Sequence, residues 1–228
     1  MSERVLWVTG GSSGIGGALA TGAVAAGHRV FVTGRDPGRL RSLLGRVGDT
    51  DRLDGRVADV ADWTETSAAL DSAVAAFGRL DAVVANAGFT ASGNFADGDP
   101  EEWRAVVLTN VYGVALTVKA ALPALLATRG RVVLIGSVAG TRTVPGSLYG
   151  ATKAAVHAIG ENLRAELVGT GVGVSVVQPG RVATPFWDEP PAVALSSEEV
   201  ADAILWVLDQ PDGVDVNEVR VRPTGQDV

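Results

Sequence analysis

Short valine-rich runs alternate with stretches of helical periodicity along nearly the whole chain. The runs lie at 5–8, 29–33, 82–85, 131–135, 173–177 and 216–221, with a weaker one at 55–58. Between them, apolar residues recur at helical spacing over 15–26, 37–47, 63–77, 101–128, 148–168 and 198–208. A strand that is apolar throughout must be covered on both faces, and a parallel neighbour requires a crossover long enough to hold a helix. The pattern therefore predicts one α/β domain spanning residues 1–228, a doubly wound, Rossmann-like parallel sheet of about seven strands with helices on both faces. In such a sheet, ligands bind at the carboxyl ends of the strands. No long linker or internal repeat interrupts it.

Composition narrows the partners. The formal net charge is −7 and no basic cluster offsets it, which excludes nucleic acid as the main partner. Without cysteine there is no disulfide, no thiolate nucleophile and no zinc–cysteine site. No His/Asp/Glu grouping suggests a metal. Met1-Ser2-Glu3-Arg4 leads directly into the first strand, so no signal peptide is expected. The apolar stretch 111–127 carries Lys119 and Pro123 and is not expected to span a bilayer. These features predict a soluble, cytoplasmic protein.

Two motifs carry chemistry. After the first strand comes Thr9-Gly10-Gly11-Ser12-Ser13-Gly14-Ile15-Gly16. Glycines at a strand-to-helix turn let backbone N–H groups approach a pyrophosphate, and the helix N-terminus favours its charge. Placed in the first βα unit, the loop predicts a dinucleotide site. Later, Tyr149 and Lys153 stand one helical turn apart, so both side chains leave the same face. A phenol titrates near ~10, and a nearby ammonium favours the phenolate and lowers that value towards neutrality. The pair is thus a candidate general acid/base.

Thr-Gly-x-x-x-Gly-x-Gly together with Tyr-x-x-x-Lys resembles the short-chain dehydrogenase/reductase family, and the likeness runs from Val5 to about Val221. The resemblance implies NAD(P)-dependent hydride transfer between a nicotinamide and a small carbonyl or secondary alcohol. It assigns Gly10, Ser12, Ser13, Gly14, Ile15 and Gly16 to the pyrophosphate loop. Asp59-Val60 resembles the adenine-binding pair, although Asp59 could instead cap the following helix in competition with Asp62. Asn86-Ala87-Gly88 matches the segment beside the cofactor ribose, with Ala85 where many relatives have a second asparagine. Asn110, costly among apolar helical residues unless hydrogen-bonded, either ties its helix to nearby backbone or fixes a water relay to Lys153, or does both. Ser137 matches the serine that orients the substrate carbonyl. The Ser137–Tyr149 interval is one residue shorter than in many relatives, so that loop should differ in shape. Pro179-Gly180-Arg181-Val182-Ala183-Thr184 matches Pro-Gly-x-Val-x-Thr, whose backbone at Val182 and hydroxyl at Thr184 hold the carboxamide. Tyr149 is then the proton donor, and Lys153 both lowers its pKa and binds the ribose.

Cofactor choice turns on the end of the second strand, Gly34-Arg35-Asp36. An acid there suits the ribose 2′-hydroxyl of NAD, whereas the Arg35 guanidinium suits a 2′-phosphate. Asp36 precedes Pro37 and reads as a helix N-cap. NADP(H) is expected over NAD(H), even though Ser13 replaces the basic residue that NADP-preferring relatives can carry before the second motif glycine. His28 and His157 fall on no motif and are expected to be exposed or interfacial.

Three other readings compete with this one. A non-catalytic NADP-binding regulator has no need of Asn110, Ser137, Tyr149 and Lys153 together. An epimerase or dehydratase of the extended fold needs a larger domain after Pro185. A 3-oxoacyl-carrier-protein reductase uses the same machinery, and Arg142 and Arg181 are its only obvious docking cations. Residues 186–191 (Phe186, Trp187, Asp188, Glu189, Pro190 and Pro191) replace a long lid, and residues 217–224 resemble relatives acting on small hydroxy acids and simple carbonyls. The width of the apolar face of helix 101–128, with the family's habits, predicts a homodimer or homotetramer.

Overall fold

In the computed structural model all seven strands join one parallel sheet in the order β3-β2-β1-β4-β5-β6-β7. The structure describes residues 3–48, 51–187, 189 and 191–226, so Met1, Ser2, Asp188 and Pro190 of the segments noted above lie outside the described residues. The strands are β1 (Val5–Thr9), β2 (Arg29–Gly34), β3 (Leu53–Val57), β4 (Ala82–Ala85), β5 (Arg131–Ile135), β6 (Gly173–Pro179) and β7 (Glu218–Val221). Strand order reverses between β1 and β4, and the turns leaving both ends meet there. Register is set by apolar pairing such as Trp7 with Phe31 and Trp7 with Val83.

The helices are α1 (Gly14–Ala25), α2 (Pro37–Val47), α3 (Trp63–Phe77), α4 (Pro100–Val107), α5 (Gly113–Thr128), α6 (Leu148–Glu166) and α7 (Ser197–Leu208). Alternate strand residues feed two cores. Trp7, Phe31, Val83 and Leu134 pack against α3, α5 and α6, while Leu6, Val8, Val84 and Ile135 pack against α1, α2 and α7. Helix starts follow their local chemistry. The Asp36 carboxylate accepts from the Gly38 and Arg39 amides at 2.7 and 3.0 Å, with Pro37 at the first helical position. Asp62, not Asp59, caps α3. Ser196 and Glu199 form a capping box on α7.

The expected single helix 101–128 is instead broken in its hydrogen-bond pattern. Leu108–Tyr112 forms a π-turn between α4 and α5, and Asn110 sits at its centre. The helix has the length and apolar composition of a membrane span, yet 56% of its apolar window is buried inside this fold. Its width is largely used within the chain: Val114, Leu116, Val118, Ala121 and Leu125 are buried, while Tyr112 and Leu126 stay exposed.

The expectation for His28 fails. It is 2% exposed, accepts from the Arg4 amide through Nδ1 at 3.2 Å, and lies 3.9 Å from Asp209. Burial holds it below the ordinary imidazole value against the opposing pull of Asp209. Tertiary packing of α7 against α1 closes over it, which its sequence neighbours do not reveal.

Candidate active site

The turns at the carboxyl ends of β1 and β4 are sewn together by Asn86 and Thr9. Asn86 Nδ2 donates to the carbonyls of Thr9 and Gly10 at 2.9 and 3.1 Å, and the Asn86 amide donates to Thr9 Oγ1 at 3.1 Å. Gly10 has φ +61°, and a Cβ there would stand 2.8 Å from the Ala87 Cα. At Gly16 a Cβ would meet Asn86 Nδ2 at 2.5 Å. Only bare backbone lets these two turns touch. Ser12 and Ser13 lie on the loop, Ser13 at the N-cap of α1 with no side-chain capping bond. A cleft of about 770 Å³ opens beside Ser12, Ser13 and Gly14, and Arg39 and Arg46 of α2 line it. Ile15 packs against the core on the α1 side.

Arg35 projects from the end of β2 over the Phe89 ring, 5.5 Å from its centroid, and lies 3.9 Å from Asp59. Asp59 sits two residues beyond β3, where it accepts from the Ala61 amide at 2.9 Å. Val60 is buried and packs on Gly113, so its side chain belongs to the core. The partnership of Arg35 with Phe89 and Asp59 joins three turns distant in sequence and is invisible to a linear reading.

Asn110 is fully buried and fully engaged. Its Oδ1 accepts from the Phe89 amide at 3.1 Å, and Nδ2 donates to the Phe89 carbonyl at 2.9 Å and the Thr152 hydroxyl at 3.1 Å. The reading in which it ties its helix to neighbouring backbone is the one its contacts support.

Ser137 follows β5, accepts from the Ala139 amide at 3.1 Å, and shares a side-chain hydrogen bond with Tyr149. Ser147 caps α6, setting the turn that carries Tyr149 and Lys153. Lys153 Nζ lies 5.7 Å from the Tyr149 ring centroid and donates to the Ile135 carbonyl at 2.7 Å. Burial pushes the phenol up to about 12, eased by the Ser137 hydrogen bond, and pushes the ammonium down to about 8. The expectation that Lys153 draws the phenol towards neutrality is therefore not met in this structure. Desolvation is the largest cause of the shift in both groups. At neutral pH the arrangement is a protonated phenol beside a charged ammonium, suited to giving a proton rather than taking one.

Pro179 ends β6, and Gly180, Val182 and Thr184 follow it across the groove from the glycine loop. A Cβ on Gly14 would touch the Thr184 methyl at 3.4 Å. The Val182 carbonyl accepts from Trp187 Nε1 at 3.0 Å. Phe186 stacks edge-on against Tyr149 at 5.3 Å and against Trp187 at 5.2 Å. On the other side, a small cavity of about 130 Å³ is bounded by Asn94, Trp103, Pro145, Gly146 and Tyr149.

The likeness extends to known proteins. Residues 4–192 match the family model of short chain dehydrogenases. The chain belongs to the short-chain dehydrogenase family. An uncharacterised oxidoreductase of Staphylococcus saprophyticus is 36% identical, over 98% of this chain and 98% of its own length. Among solved structures, serine dehydrogenase from Escherichia coli is 32% identical with a TM-score of 0.88, over 98% of this chain and all of that one. The alcohol dehydrogenase of the archaeon Thermococcus sibiricus, complexed with 5-hydroxy-NADP, is 26% identical with a TM-score of 0.91, over 100% of this chain and 99% of that one. This chain is thus an oxidoreductase of the short-chain dehydrogenase family.

Sequence reasoning passed over Phe89, Thr152 and His157. His157 is half-buried, and its Nε2 accepts from the Ser137 amide at 3.4 Å. It is therefore not the fully exposed residue that one of the two expectations made it. Its helical register, one turn beyond Lys153, was the available signal.

Proposed function

We propose that this short-chain dehydrogenase is an NADP(H)-dependent oxidoreductase that interconverts a small carbonyl compound and the corresponding secondary alcohol. The observation that carries the reading is the convergence of Ser137, Tyr149 and Lys153 beside a glycine loop at the strand carboxyl ends. A dinucleotide fits the residues present. At Gly88 a Cβ would lie 3.1 Å from Asn110 Oδ1 and 3.5 Å from Lys153 Nζ, so the missing side chain keeps open the approach to a buried ammonium. That ammonium places one of its three donors on Ile135 and can offer others to ribose hydroxyls. The loop 10–16 and the N-terminus of α1 would hold the pyrophosphate, with Val182 and Thr184 at the nicotinamide end.

When bound, the nicotinamide supplies or accepts the hydride. The chain's own groups do the rest. Ser137 donates to the carbonyl oxygen and orients it. Tyr149, a phenol at neutral pH, gives its proton to that oxygen as negative charge develops there. Lys153 keeps a positive charge next to the phenolate that results. Phe186 packs edge-on against Tyr149, with Trp187 behind it, and shields that flank of the phenol from water.

Arg35 supports NADP over NAD. It is 57% exposed, reaches Asp59 only at 3.9 Å, and has donors to give a 2′-phosphate. The small cavity beside Tyr149 favours short carbonyl substrates over a long acyl chain, which ranks carrier-bound 3-oxoacyl substrates second. The test is NADPH and NADH oxidation against a panel of aldehydes, ketones and oxo acids. Turnover with short carbonyls and a preference for NADPH are expected. A regulator would bind the nucleotide and turn over none of them.

A further inference from the structure

Two side chains of α6 grip the end of β5. Lys153 Nζ takes the Ile135 carbonyl at 2.7 Å, and one turn later His157 Nε2 takes the Ser137 N–H at 3.4 Å. Between these two residues, the Gly136 amide completes the ladder by donating to the Val177 carbonyl at 2.8 Å. The Ser137 N–H is therefore the first donor past the sheet, and among the described residues no strand neighbour takes it. The imidazole sits so close to Gly136 that any Cβ there would collide with Nε2. Because Nε2 accepts, the ring proton resides on Nδ1. Ser137 thus has its backbone held from α6, the helix that also carries Tyr149.

We propose that His157 is a positioning residue for Ser137, holding it while the imidazole is neutral and releasing it on protonation. A second proton would have to go on Nε2, turning an acceptor into a donor aimed at another donor. The ring would then have to leave the Ser137 amide, and the hydroxyl would lose its fixed backbone. The charged groups facing the ring are Glu218 and Arg220 of β7 and Lys153 of its own helix. Burial lowers its pKa most, Glu218 opposes, and Lys153 and Arg220 add to the lowering. The neutral, holding form is accordingly the one present at pH 7, and acid drives the release.

The inference rests on the reading of Ser137 as the group that orients the carbonyl, and the test separates the two. The rate of carbonyl reduction is measured from about pH 5 to 8, spanning the imidazole range. Wild-type kcat should fall on the acid side with a midpoint below 6.5, the ordinary imidazole value. His157→Leu should lose up to about 10²-fold in kcat across the range and show no acid limb, the scale of a 1 Å misplacement of an orienting group. His157→Gln, whose amide oxygen replaces Nε2 as a non-titrating acceptor, should rescue most of that loss and also lack the limb. An acid limb that persists in His157→Gln overturns the proposal. In cofactor-free protein, the Ser137 amide resonance should move with the titration of the His157 ring. The only other histidine, His28, is removed by His28→Gln to assign it. A Ser137 amide blind to that titration also overturns the proposal. Absence of turnover with every carbonyl would refute the functional reading and leave the resonance experiment to decide the His157–Ser137 contact.

Discussion

Asn110 Nδ2 donates to Thr152 Oγ1 at 3.1 Å, tying the π-turn of the long helix to the residue next to Lys153. The same amide satisfies both backbone groups of Phe89. One side chain thus joins the β4 turn, the long helix and α6, three parts of the site that no backbone ladder connects. Replacing it with the near-isosteric Asn110→Leu strands the N–H and the carbonyl of the half-buried Phe89. Each such orphan costs ~1–3 kcal/mol. Urea unfolding of the variant should show a loss of at least ~2 kcal/mol with an unchanged m-value. A change below ~0.5 kcal/mol, the scale of ordinary surface substitutions, would mean that these bonds contribute nothing.

The buried ammonium predicts an opposition between stability and activity. Burial lowers the Lys153 pKa from its ordinary 10.5 to about 8. Between those values the unfolded chain binds more protons, so stability rises with pH through that window. Below it, the buried charge costs on the order of 3 kcal/mol, from a shift of 10.5 to about 8. Tyr149 acts in the opposite direction only above pH 10, because its pKa is raised from 10 to about 12. Measured against Lys153→Met, the wild type should therefore gain stability from pH 8 to 10. Over the same range carbonyl reduction should fall as the ammonium discharges. A stability difference that is flat with pH would contradict the lowering of the Lys153 pKa by burial.

Cofactor choice is tested at Arg35 and Gly34. A charge-assisted hydrogen bond to the 2′-phosphate is worth ~1.5–3 kcal/mol, or roughly ten- to a hundredfold in affinity. Arg35→Ala should weaken NADP+ by that factor and leave NAD+ little changed. A Cβ at Gly34 would lie 2.7 Å from Ser12 Oγ, so Gly34→Asp requires that hydroxyl to rotate away. The Gly34→Asp/Arg35→Ala double variant should then prefer NAD+, because its carboxylate accepts from ribose hydroxyls and repels phosphate. Dissociation constants are compared at one ionic strength, since salt screens an exposed contact. A wild type that prefers NAD+, or an unchanged ratio in Arg35→Ala, would remove Arg35 from the phosphate.

What was legible in the sequence was what depends on near neighbours. The ends of β4, β5, α2 and α3 fall where the runs and caps put them, because Asp36-Pro37 and Asp62 act within one turn. Tyr149 and Lys153 share a face because four residues make a turn. The π-turn at Asn110 was not legible, since it depends on Phe89 and Thr152, which arrive from other elements. Burial of His28 under α7 and the Arg35–Phe89–Asp59 contact have the same origin. The direction of the Tyr149 shift was missed because spacing reports a neighbouring charge and says nothing of desolvation, and here desolvation is the larger effect. His157 was passed over because it belongs to no motif, although Tyr149, Lys153 and His157 follow one another at four-residue intervals.

The central claim is that Tyr149 delivers the proton. The most direct measurement is the single-turnover oxidation of bound NADPH by the best carbonyl substrate, in wild type and Tyr149→Phe, with NADPH affinity measured in parallel. The phenyl ring keeps the edge-on contact with Phe186 and cannot donate a proton. The account predicts nearly equal NADPH affinity and a rate lower by ~10²–10⁴-fold, the usual contribution of a positioned general acid. A Tyr149→Phe enzyme that keeps the wild-type rate would contradict it.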